Sequence, residues 1–432
     1  MKPLFIISCP YDTFSGYGAR SRDLVKAIIA TDRYNVKLLS QRWGNTRFGF
    51  CTENLEWSFL NNHQITEKID QQPDIWMQIT VPNEFQPVGK YNIGVTAGME
   101  TTLVDGSWVE GINRMDLNLV SSNHSKQTFL NSQFETKNAQ GNVTGQLKVN
   151  KPIEVLFEGA NLNQYFEIPP KEINELNEYS PLIQSLDEIK ESFSYLFVGH
   201  WLQGEMGEDR KNVGLLVKAF YEVFKNQKNK PALILKTSGA TTSYMDRDDI
   251  IKKIEFIKDS INSKDLPNIY LLHGEFSDTE MNLLYNHSKV KAMISLTKGE
   301  GFGRPLLEFS LTKKPIIVSN WSGHLDFLNP EFNYMIQGEL KNVHPSAVVP
   351  NMILAESQWF APNNMEIGTA MKQVYNNYKK YLVGAKRQAY RSKTEFSWDK
   401  MKETIDNLFS NYIPEFPKQV ELQLPILNLP NL

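Results

Sequence analysis

Residues 298–308 read KGEGFGRPLLE and follow the apolar run KAMISLT at residues 291–297. The apolar run predicts a buried strand, and the segment after the glycines opens a helix. A turn from a strand into a helix offers free backbone N–H groups at the positive end of the helix, which favours binding of a diphosphate. Glu300 lies in this turn and Glu308 lies two helical turns later, which suits a ligand with sugar hydroxyls on both sides of a diphosphate. The pattern leaves open that Glu308 is a surface residue and that Gly301 and Gly303 only form the turn.

The same alternation of short apolar runs and helical patterns extends in both directions from this segment. In the second half, the apolar runs include SYLFVGH, PALILKTSG, NIYLLHG and KPIIVSN. In the first half, strands are predicted at Leu4–Ser8, Val36–Ser40, Asp74–Thr80, Tyr91–Thr96, Asp116–Ser121 and Ile153–Glu158. Such alternation is typical of parallel βαβ units. The sequence therefore predicts an α/β protein with two doubly wound domains and a ligand in the cleft at the carboxyl ends of their strands.

The predicted division places the first domain at residues 1–185, the second at 186–395, and a closing helix and tail at 396–432, packing back toward the first domain. Residues 167–192 carry three prolines and many charges, which indicates the domain connection or a peripheral helix. Residues 138–150 are rich in Asn and Gln and predict a loop. The tail from Ile413 has four prolines and little periodicity, which predicts an extended strap or a partly mobile segment.

Composition excludes several classes of protein. The chain has 432 residues, 46 basic and 49 acidic side chains and a net charge of −3, which argues against bulk attraction to nucleic acid but not against a local basic patch. Cys9 and Cys51 cannot build a disulfide framework, and their spacing is not that of metal ligands. The N-terminal apolar run is too short for a signal peptide, and no stretch of about 18 apolar residues predicts a transmembrane segment. These features predict a soluble, cytoplasmic protein.

Six segments, in the expected order along the chain, resemble GT-B glycosyltransferases of the retaining glycosyltransferase family 4. The pattern E-x7-E in EGFGRPLLE, followed by KKPIIVSNWSGHLDFL, resembles the donor-site segment of that family. The other five matching segments are SGYGARSRDLVKAI, GMETTLVDGSWVEGINRMDLNLVSSNHSKQTF, EVLFEGANLNQYF, YLFVGHWLQGEMGEDRKNVGLLVKAF and FSWDKMKETIDNLF. Together they span nearly the whole chain. The resemblance implies the GT-B fold, in which two Rossmann-like domains face a central cleft.

The resemblance also implies roles for individual residues. Glu308 should bind the ribose hydroxyls of a nucleotide-diphosphate sugar, and Glu300 should contact its sugar hydroxyls. The backbone of Gly301, Phe302 and Gly303 should approach the sugar and the diphosphate. Arg210 and Lys211 match a basic pair near the diphosphate, where a fixed cation stabilises the charge that develops on the leaving group. The nucleotide-diphosphate sugar is a co-substrate, no prosthetic group is implied, and no catalytic metal is expected.

The sequence departs from the family pattern at two positions. His200 stands where the family often has arginine directly after a strand, and Lys236 is an alternative cation, or else extends along the strand edge. Many relatives carry a histidine near the reacting carbon, but the matching segment here is GMETT. Glu100 could orient the acceptor hydroxyl or the donor sugar, or it could cap a helix.

Two short motifs carry weaker signals. Gly16 and Gly18 follow the first strand in a polar loop that could approach the diphosphate, although the missing third glycine argues against a dinucleotide fingerprint. Residues 246–248 (DRD) resemble a metal-binding triplet, but their polar context at a helix start indicates the protein surface.

The resemblance implies a retaining glycosyltransferase whose first domain binds the acceptor and whose second domain binds the donor. One acceptor class is a glycan or lipid-linked sugar, for which a basic and aromatic face of the first domain is expected. The arginines and aromatic residues that could form such a face are Arg20, Arg22, Arg33, Arg42, Trp43, Arg47 and Phe48. The alternative is a bacteriophage enzyme that glycosylates hydroxymethylated bases in DNA. A third reading is a nucleotide-sugar-binding protein that has lost catalysis.

Overall fold

The computed structural model describes residues 2–169, 171–173, 180–239 and 241–416, in which two parallel sheets form the centres of two Rossmann-like domains. The first sheet has the strand order β2-β1-β3-β4-β5-β8. Its strands are β1 (Leu4–Cys9), β2 (Asn35–Ser40), β3 (Ile75–Ile79), β4 (Tyr91–Thr96), β5 (Leu117–Val120) and β8 (Ile153–Val155). The second sheet has the order β11-β10-β9-β12-β13-β14. Its strands are β9 (Ser194–Val198), β10 (Ala232–Lys236), β11 (Ile269–Leu272), β12 (Val290–Ser295), β13 (Ile316–Ser319) and β14 (Tyr334–Ile336).

Helices pack on both sheets, and most of the inner strands are buried along their length, as is usual for parallel sheets. In the first domain the helices are α1 (Gly16–Ala30), α2 (Phe50–Glu53), α3 (Gly106–Arg114) and α4 (Asn123–Asn131), with a 3₁₀ helix at Leu55–His63. The later helices are α5 (Pro181–Asp187), α6 (Val213–Phe224), α7 (Tyr244–Asp259), α8 (Asp278–Asn286), α9 (Arg304–Ser310), α10 (Asn364–Asn376), α11 (Tyr378–Glu395) and α12 (Trp398–Tyr412). Among the described helices, none is both long and apolar enough to cross a membrane.

The predicted α/β architecture is confirmed, because both sheets are parallel and the strand order reverses within each of them. The carboxyl ends of the two sheets face one another across the domain junction. The segment that follows β5 contacts the loops that follow β12 and β13, as the Ser121–Gly301 hydrogen bond and the Asn123–Asp326 hydrogen bond show. This junction is where the sequence places the candidate residues.

Helix α12 returns to the first domain. Its residues Met401, Ile405 and Phe409 are fully buried in the core that also contains Phe5 and Leu24. The division at residues 185 and 395 stays a prediction. Part of the predicted tail strap, residues 417–432, lies outside the described residues.

The predicted loop at residues 138–150 is wrong in part. β6 (Phe134–Lys137) and β7 (Val143–Leu147) form an antiparallel hairpin instead. The Asn138 side chain accepts hydrogen bonds from the backbone N–H groups of Gln140 and Asn142 and so closes the turn between them. Both strands are largely exposed, so their side chains lack the apolar alternation that would have indicated them.

Candidate active site

The four side chains predicted to be catalytic form one cluster at the junction of the domains. Lys211 Nζ lies 2.5 Å from Glu300 Oε1, and Arg210 lies 3.7 Å from Glu300 Oε2. Arg210 also lies 3.5 Å from Glu100 Oε1, and it donates a hydrogen bond of 3.1 Å to the carbonyl of Gly299. In this charge cluster, Arg210 and Lys211 precede α6 and Glu300 follows β12. Glu100 belongs to the first domain. The cluster therefore joins both domains through alternating charges.

The cations of the charge cluster hold Glu300 in its ionised form. Glu300 is 6% exposed, and burial alone would raise its pKa. The charges of Lys211 and Arg210 outweigh that effect and lower the pKa of Glu300 to about 2. A buried carboxylate paired in this way presents fixed oxygen acceptors at neutral pH.

The glycines near Glu300 serve the contact between the domains. A Cβ on Gly299 would lie 1.8 Å from the carbonyl oxygen of Glu100, and one on Gly301 would lie 2.4 Å from that of Ala97. Ser121 Oγ donates a hydrogen bond of 3.1 Å to the carbonyl of Gly301. The sequence assigned Gly301 to the approach of a ligand, whereas here it also lets two loops of different domains touch.

Gly303 and Phe302 have distinct roles in this turn. Gly303 has φ +97°, a left-handed conformation that L side chains adopt rarely, and it precedes the first residue of α9. The Phe302 side chain is 2% exposed and packs with its ring centroid 4.9 Å from that of Phe327. Its side chain thus belongs to the core.

A cavity of about 890 Å³ lies beside the turn, between the two domains. Glu308 lines it and is 6% exposed, so the reading of Glu308 as a surface residue is wrong. Arg304 Nε lies 2.9 Å from Glu308 Oε1, and Tyr285 Oη lies 3.3 Å from Glu308 Oε2. Arg304 also lies 2.7 Å from Asp23 Oδ2 on α1. Sequence reasoning missed both Arg304 and Asp23.

The pKa of Glu308 differs from that of Glu300 for a physical reason. Burial raises the pKa of Glu308 to about 7, with a smaller contribution from Asp278, although Arg304 acts in the opposite direction. One cation shared with Asp23 compensates less than the two cations that face Glu300. Glu308 therefore changes charge near neutral pH, while Glu300 stays ionised.

Gly16 and Gly18 were expected in a polar loop, but both lie in the first turn of α1, where they face different surroundings. Gly16 lines the cavity, and a Cβ placed on it would meet no atom within 4 Å. A Cβ on Gly18 would lie 2.4 Å from the carbonyl oxygen of Thr13. Ser15 caps this helix by accepting a hydrogen bond from the N–H of Gly18. Gly16 is thus open to a ligand, whereas Gly18 is required for packing.

His200 and Lys236 lie outside the charge cluster. His200 Nδ1 is 3.1 Å from Ser238 Oγ, and its pKa is lowered by desolvation and then by the positive charges of Lys211 and Arg210. Lys236 Nζ donates a hydrogen bond of 2.6 Å to the carbonyl of Gly274.

Lys236 also lies 4.4 Å from the ring centroid of Phe276, which lines the cavity. Desolvation lowers the pKa of Lys236 to about 8. Lys236 therefore supports the wall of the cavity, and none of the described carboxylates forms an ion pair with it.

Two buried histidines lie near the charge cluster. The Nε2 of His324 lies 2.7 Å from the carbonyl of Ser319, and the Nδ1 of His324 is buried without a hydrogen-bond partner. The ring of His124 packs edge-on against Trp321 at 4.6 Å. Burial, with a smaller contribution from the nearby His324, lowers the pKa of His124 to about 4. Both rings are therefore neutral at physiological pH.

The expected basic face near the N-terminus is wrong for two of its arginines. Arg20 and Arg22 are each 4% exposed. Arg20 donates to the carbonyls of Leu156 and Phe157, and Arg22 donates to those of Tyr11 and Thr13. Their charges hold buried loop carbonyls and are not available to a membrane surface.

The DRD triplet at residues 246–248 lies at the start of α7. The Asp246 carboxylate lies 2.8 Å from His273 Nε2 and accepts a hydrogen bond from the N–H of Gly239. Arg247 and Asp248 are exposed. Within the described ranges, no group of three or more His, Cys, Asp or Glu side chains is arranged to hold a metal ion.

Comparison with known proteins gives a family match for the segment that holds most of the charge cluster. Residues 190–346 match the family model described as "Glycosyl transferases group 1". This segment contains Arg210, Lys211, Glu300 and Glu308. No curated protein sequence matches the chain.

Solved structures show the fold of the whole chain. A glycosyltransferase from Rickettsia africae has a TM-score of 0.61 at 13% identity, over 95% of this chain and 99% of that one. The sucrose-phosphate synthase of Thermosynechococcus elongatus has a TM-score of 0.60 at 11% identity, with 95% and 99% covered. HepE of Anabaena, in complex with UDP-glucose, has a TM-score of 0.58 at 12% identity, with 95% and 100% covered. The predicted GT-B architecture is thereby confirmed.

Proposed function

We propose that this protein is a retaining glycosyltransferase of family 4 type that moves a sugar from a nucleotide-diphosphate sugar to an acceptor hydroxyl. The observation that carries the proposal is the charge cluster, in which Lys211 and Arg210 face Glu300 within the segment that matches the group 1 glycosyltransferase family model. The 890 Å³ cavity with Glu308 at its wall lies on the other side of the same turn. Along the turn, a carboxylate for the ribose comes first, then cations for the diphosphate, and then a carboxylate for the sugar, which is the order of these groups in such a donor.

We place the donor with its nucleoside in the cavity and its sugar at the charge cluster. Its nucleoside occupies the cavity, where the Glu308 carboxylate accepts hydrogen bonds from the ribose hydroxyls. The diphosphate lies along the turn toward Lys211 and Arg210, with Gly16 on the side of the first domain. Glu300 then accepts hydrogen bonds from the hydroxyls of the sugar. The complex of HepE with UDP-glucose supports a donor of this kind.

In the transfer step, the bond between the sugar C1 and the diphosphate oxygen breaks while the acceptor oxygen bonds to C1 on the same face. The acceptor proton passes to an oxygen of the departing phosphate, so no protein nucleophile is required. Lys211 and Arg210 stabilise the negative charge that grows on the leaving diphosphate, which lowers the barrier because the charge is largest in the transition state.

Glu100 is available for the acceptor side of this reaction. It approaches Arg210 from the first domain, and its side chain remains about a third exposed, at 31%. An acceptor hydroxyl that enters from the first domain would meet this carboxylate before it reached C1. We propose that Glu100 orients that hydroxyl.

The acceptor class stays open between a glycan or lipid-linked sugar and hydroxymethylated DNA of a bacteriophage. A lipid-linked acceptor was expected to use a basic face of the first domain, but Arg20 and Arg22 are buried and cannot contribute to that face. A sugar-nucleotide-binding protein without catalysis is the other alternative. It predicts donor binding with no turnover.

The decisive experiment combines binding with donor hydrolysis. Purified protein is screened against UDP-, GDP- and ADP-sugars for thermal stabilisation, since a ligand at about 100 times its Kd stabilises by roughly 2.7 kcal/mol. The best donor is then incubated without acceptor, and nucleoside diphosphate release is measured. Stabilisation with slow release supports the proposal, and stabilisation without release favours the non-catalytic alternative. If no nucleotide sugar stabilises the protein or releases a nucleoside diphosphate, both the transferase and the non-catalytic binding protein are overturned.

A further inference from the structure

Helix α11 presents an exposed row of cations that the transfer reaction does not use. Residues on its outward side are Lys379, Lys380, Val383, Lys386, Arg387, Tyr390 and Lys393. From Lys379 to Lys393 the row extends about 21 Å along the helix axis at 1.5 Å per residue. Within the described parts of the chain, no carboxylate lies within ion-pair distance of the four lysines. The helix contains one acidic residue, Glu395, and it pairs with Arg391 at 3.0 Å.

This local charge contrasts with the whole chain, whose net charge is −3. Surface lysines usually lie among carboxylates. Where cations follow one another along one helix face without carboxylates, neighbouring charges repel one another and destabilise the helix slightly. An anionic partner would remove that repulsion and release counterions on binding.

Beside the row lies a shallow recess of about 750 Å³, lined by Phe332, Arg387, Tyr390 and Arg391 among others. Tyr390 is 72% exposed, and the guanidinium of Arg387 lies 4.4 Å from the ring centroid of Phe332. A planar group could stack on Tyr390 or on the guanidinium, since both offer flat faces to solvent. Aromatic faces next to a row of cations are the features that bind single-stranded nucleic acid.

A membrane surface fits this helix less well. An interfacial helix turns a broad apolar face toward the lipid. The apolar face of α11 packs against the domain, where Ala385 and Ala389 are buried and Gly384 approaches the backbone of Phe332. On the outward side, Val383 and Tyr390 alone among the described residues of this helix are large apolar groups exposed by more than half.

The recess adjoins the junction of the domains. Arg391 donates a hydrogen bond of 3.1 Å to the carbonyl of Asp326, and the Asp326 carboxylate accepts a hydrogen bond of 2.8 Å from the N–H of Asn123 in the first domain. A chain held along α11 would therefore run toward the loops that border the candidate active site.

We propose that the outward face of α11 binds a single-stranded segment of a polynucleotide, with phosphates on its lysines and a base stacked on Tyr390. This binding does not require that the transfer reaction proposed above be correct. If both the polynucleotide site and the transfer reaction are correct, DNA is favoured over a lipid-linked sugar as the acceptor.

The test measures binding of a fluorescent 20-nucleotide DNA strand of mixed sequence by anisotropy, without donor, at several salt concentrations. In one variant Lys379, Lys386 and Lys393 are changed to Glu. The control variant carries Lys228→Glu, Lys252→Glu and Lys258→Glu, which alters three exposed lysines elsewhere on the second domain and shifts the net charge equally. Circular dichroism spectra and melting temperatures of the parent and both variants report correct folding without relying on nucleotide binding.

The α11 variant should lose at least tenfold in affinity at 0.1 M salt, and the slope of log K against log salt should fall by about 2, since each lost phosphate contact on a single strand contributes about 0.7. The control variant should bind like the parent. Equal loss in both variants, or no measurable binding by the parent, would overturn the proposal.

Two further measurements separate base stacking from attraction to any polyanion. Tyr390→Ala should weaken binding of the strand about tenfold, whereas Tyr244→Ala, which changes a tyrosine that is 88% exposed on α7, should not. If Tyr390→Ala has no effect, or if phosphatidylserine vesicles bind through α11 while the strand does not, the face is not a polynucleotide site.

Discussion

Arg304 and Asp23 form a buried ion pair of 2.7 Å that links the two domains at the wall of the cavity. Asp23 lies on α1 and is 4% exposed, and Arg304 is the first residue of α9. The same guanidinium binds Glu308 at 2.9 Å. Arg304 therefore connects closure of the domains with the carboxylate that we assign to the donor ribose.

Asp23→Asn should weaken donor binding, because it removes the charge that holds Arg304 at the wall of the cavity. The amide cannot hold the charge of Arg304, so the closed arrangement loses one charged contact between the domains. We expect the KM for the nucleotide sugar to rise about tenfold while kcat changes less than threefold, as steady-state kinetics would measure. The matched control is Asp406→Asn, which breaks an exposed pair with Arg33 and should have little effect. A fall in kcat with unchanged KM would contradict this role.

Donor binding should depend on pH through Glu308. Its pKa is raised to about 7, so the carboxylate loses its proton as the pH rises through that value. Only the ionised form offers all its lone pairs to the ribose hydroxyls, so affinity should rise from pH 6 to pH 8. Calorimetric titration with the nucleoside diphosphate should show this midpoint.

Arg304→Gln should move the midpoint of that pH dependence upward, because Arg304 acts to lower the pKa of Glu308. In Glu308→Gln the dependence between pH 6 and pH 8 should disappear. A midpoint that persists in Glu308→Gln would assign the titration to another group.

The sequence predicted the parts of the site that lie on short motifs. Glu300 and Glu308 lie in one strand–turn–helix segment, so their spacing along the chain indicates their spacing in the fold. Asp23 and Arg304 are 281 positions apart, and only the docking of α1 against α9 brings them together. No local pattern could have indicated that pair.

Burial by distant segments also explains why the N-terminal arginines were assigned to the surface. Arg20 lies on α1, where its charge suggests an exposed face, but the carbonyls of Leu156 and Phe157 accept its hydrogen bonds. Met401 of α12 covers it from the other side, with its sulfur 3.3 Å from the guanidinium. The segment that buries Arg20 thus comes from almost the far end of the chain.

In the charge cluster, the contribution of Lys211 to thermal stability can be separated from its contribution to catalysis. Lys211→Met should lower kcat by about 10²–10³-fold, the usual cost of losing one preorganised charge at a transition state. It should also lower Tm, because it leaves the buried Glu300 with only the more distant Arg210. Adding Glu300→Gln should restore much of the Tm but none of the activity. Recovery of activity in the double variant would show that Lys211 serves only to neutralise Glu300.

The glycine contacts predict that one methyl group can hold the domains apart. In Gly301→Ala the new Cβ would lie 2.4 Å from the carbonyl oxygen of Ala97, a backbone atom that cannot turn aside. The two loops must then separate, and Ser121 loses its hydrogen bond to residue 301. Sugar transfer requires both domains at the reacting carbon, whereas binding of the nucleoside diphosphate depends mainly on the second domain.

We therefore expect Gly301→Ala to lower kcat at least tenfold, to retain nucleoside diphosphate binding within about threefold, and to increase the radius of gyration measured by small-angle X-ray scattering. Gly106→Ala is the control, since a Cβ there meets its nearest neighbour, a methyl of Leu147, at an ordinary 3.7 Å. If Gly301→Ala transfers sugar at the parent rate, closure through the Ala97–Gly301 contact is not part of the catalytic cycle. If it loses the nucleotide as well, the turn around Gly301 contacts the donor more than it contacts the first domain.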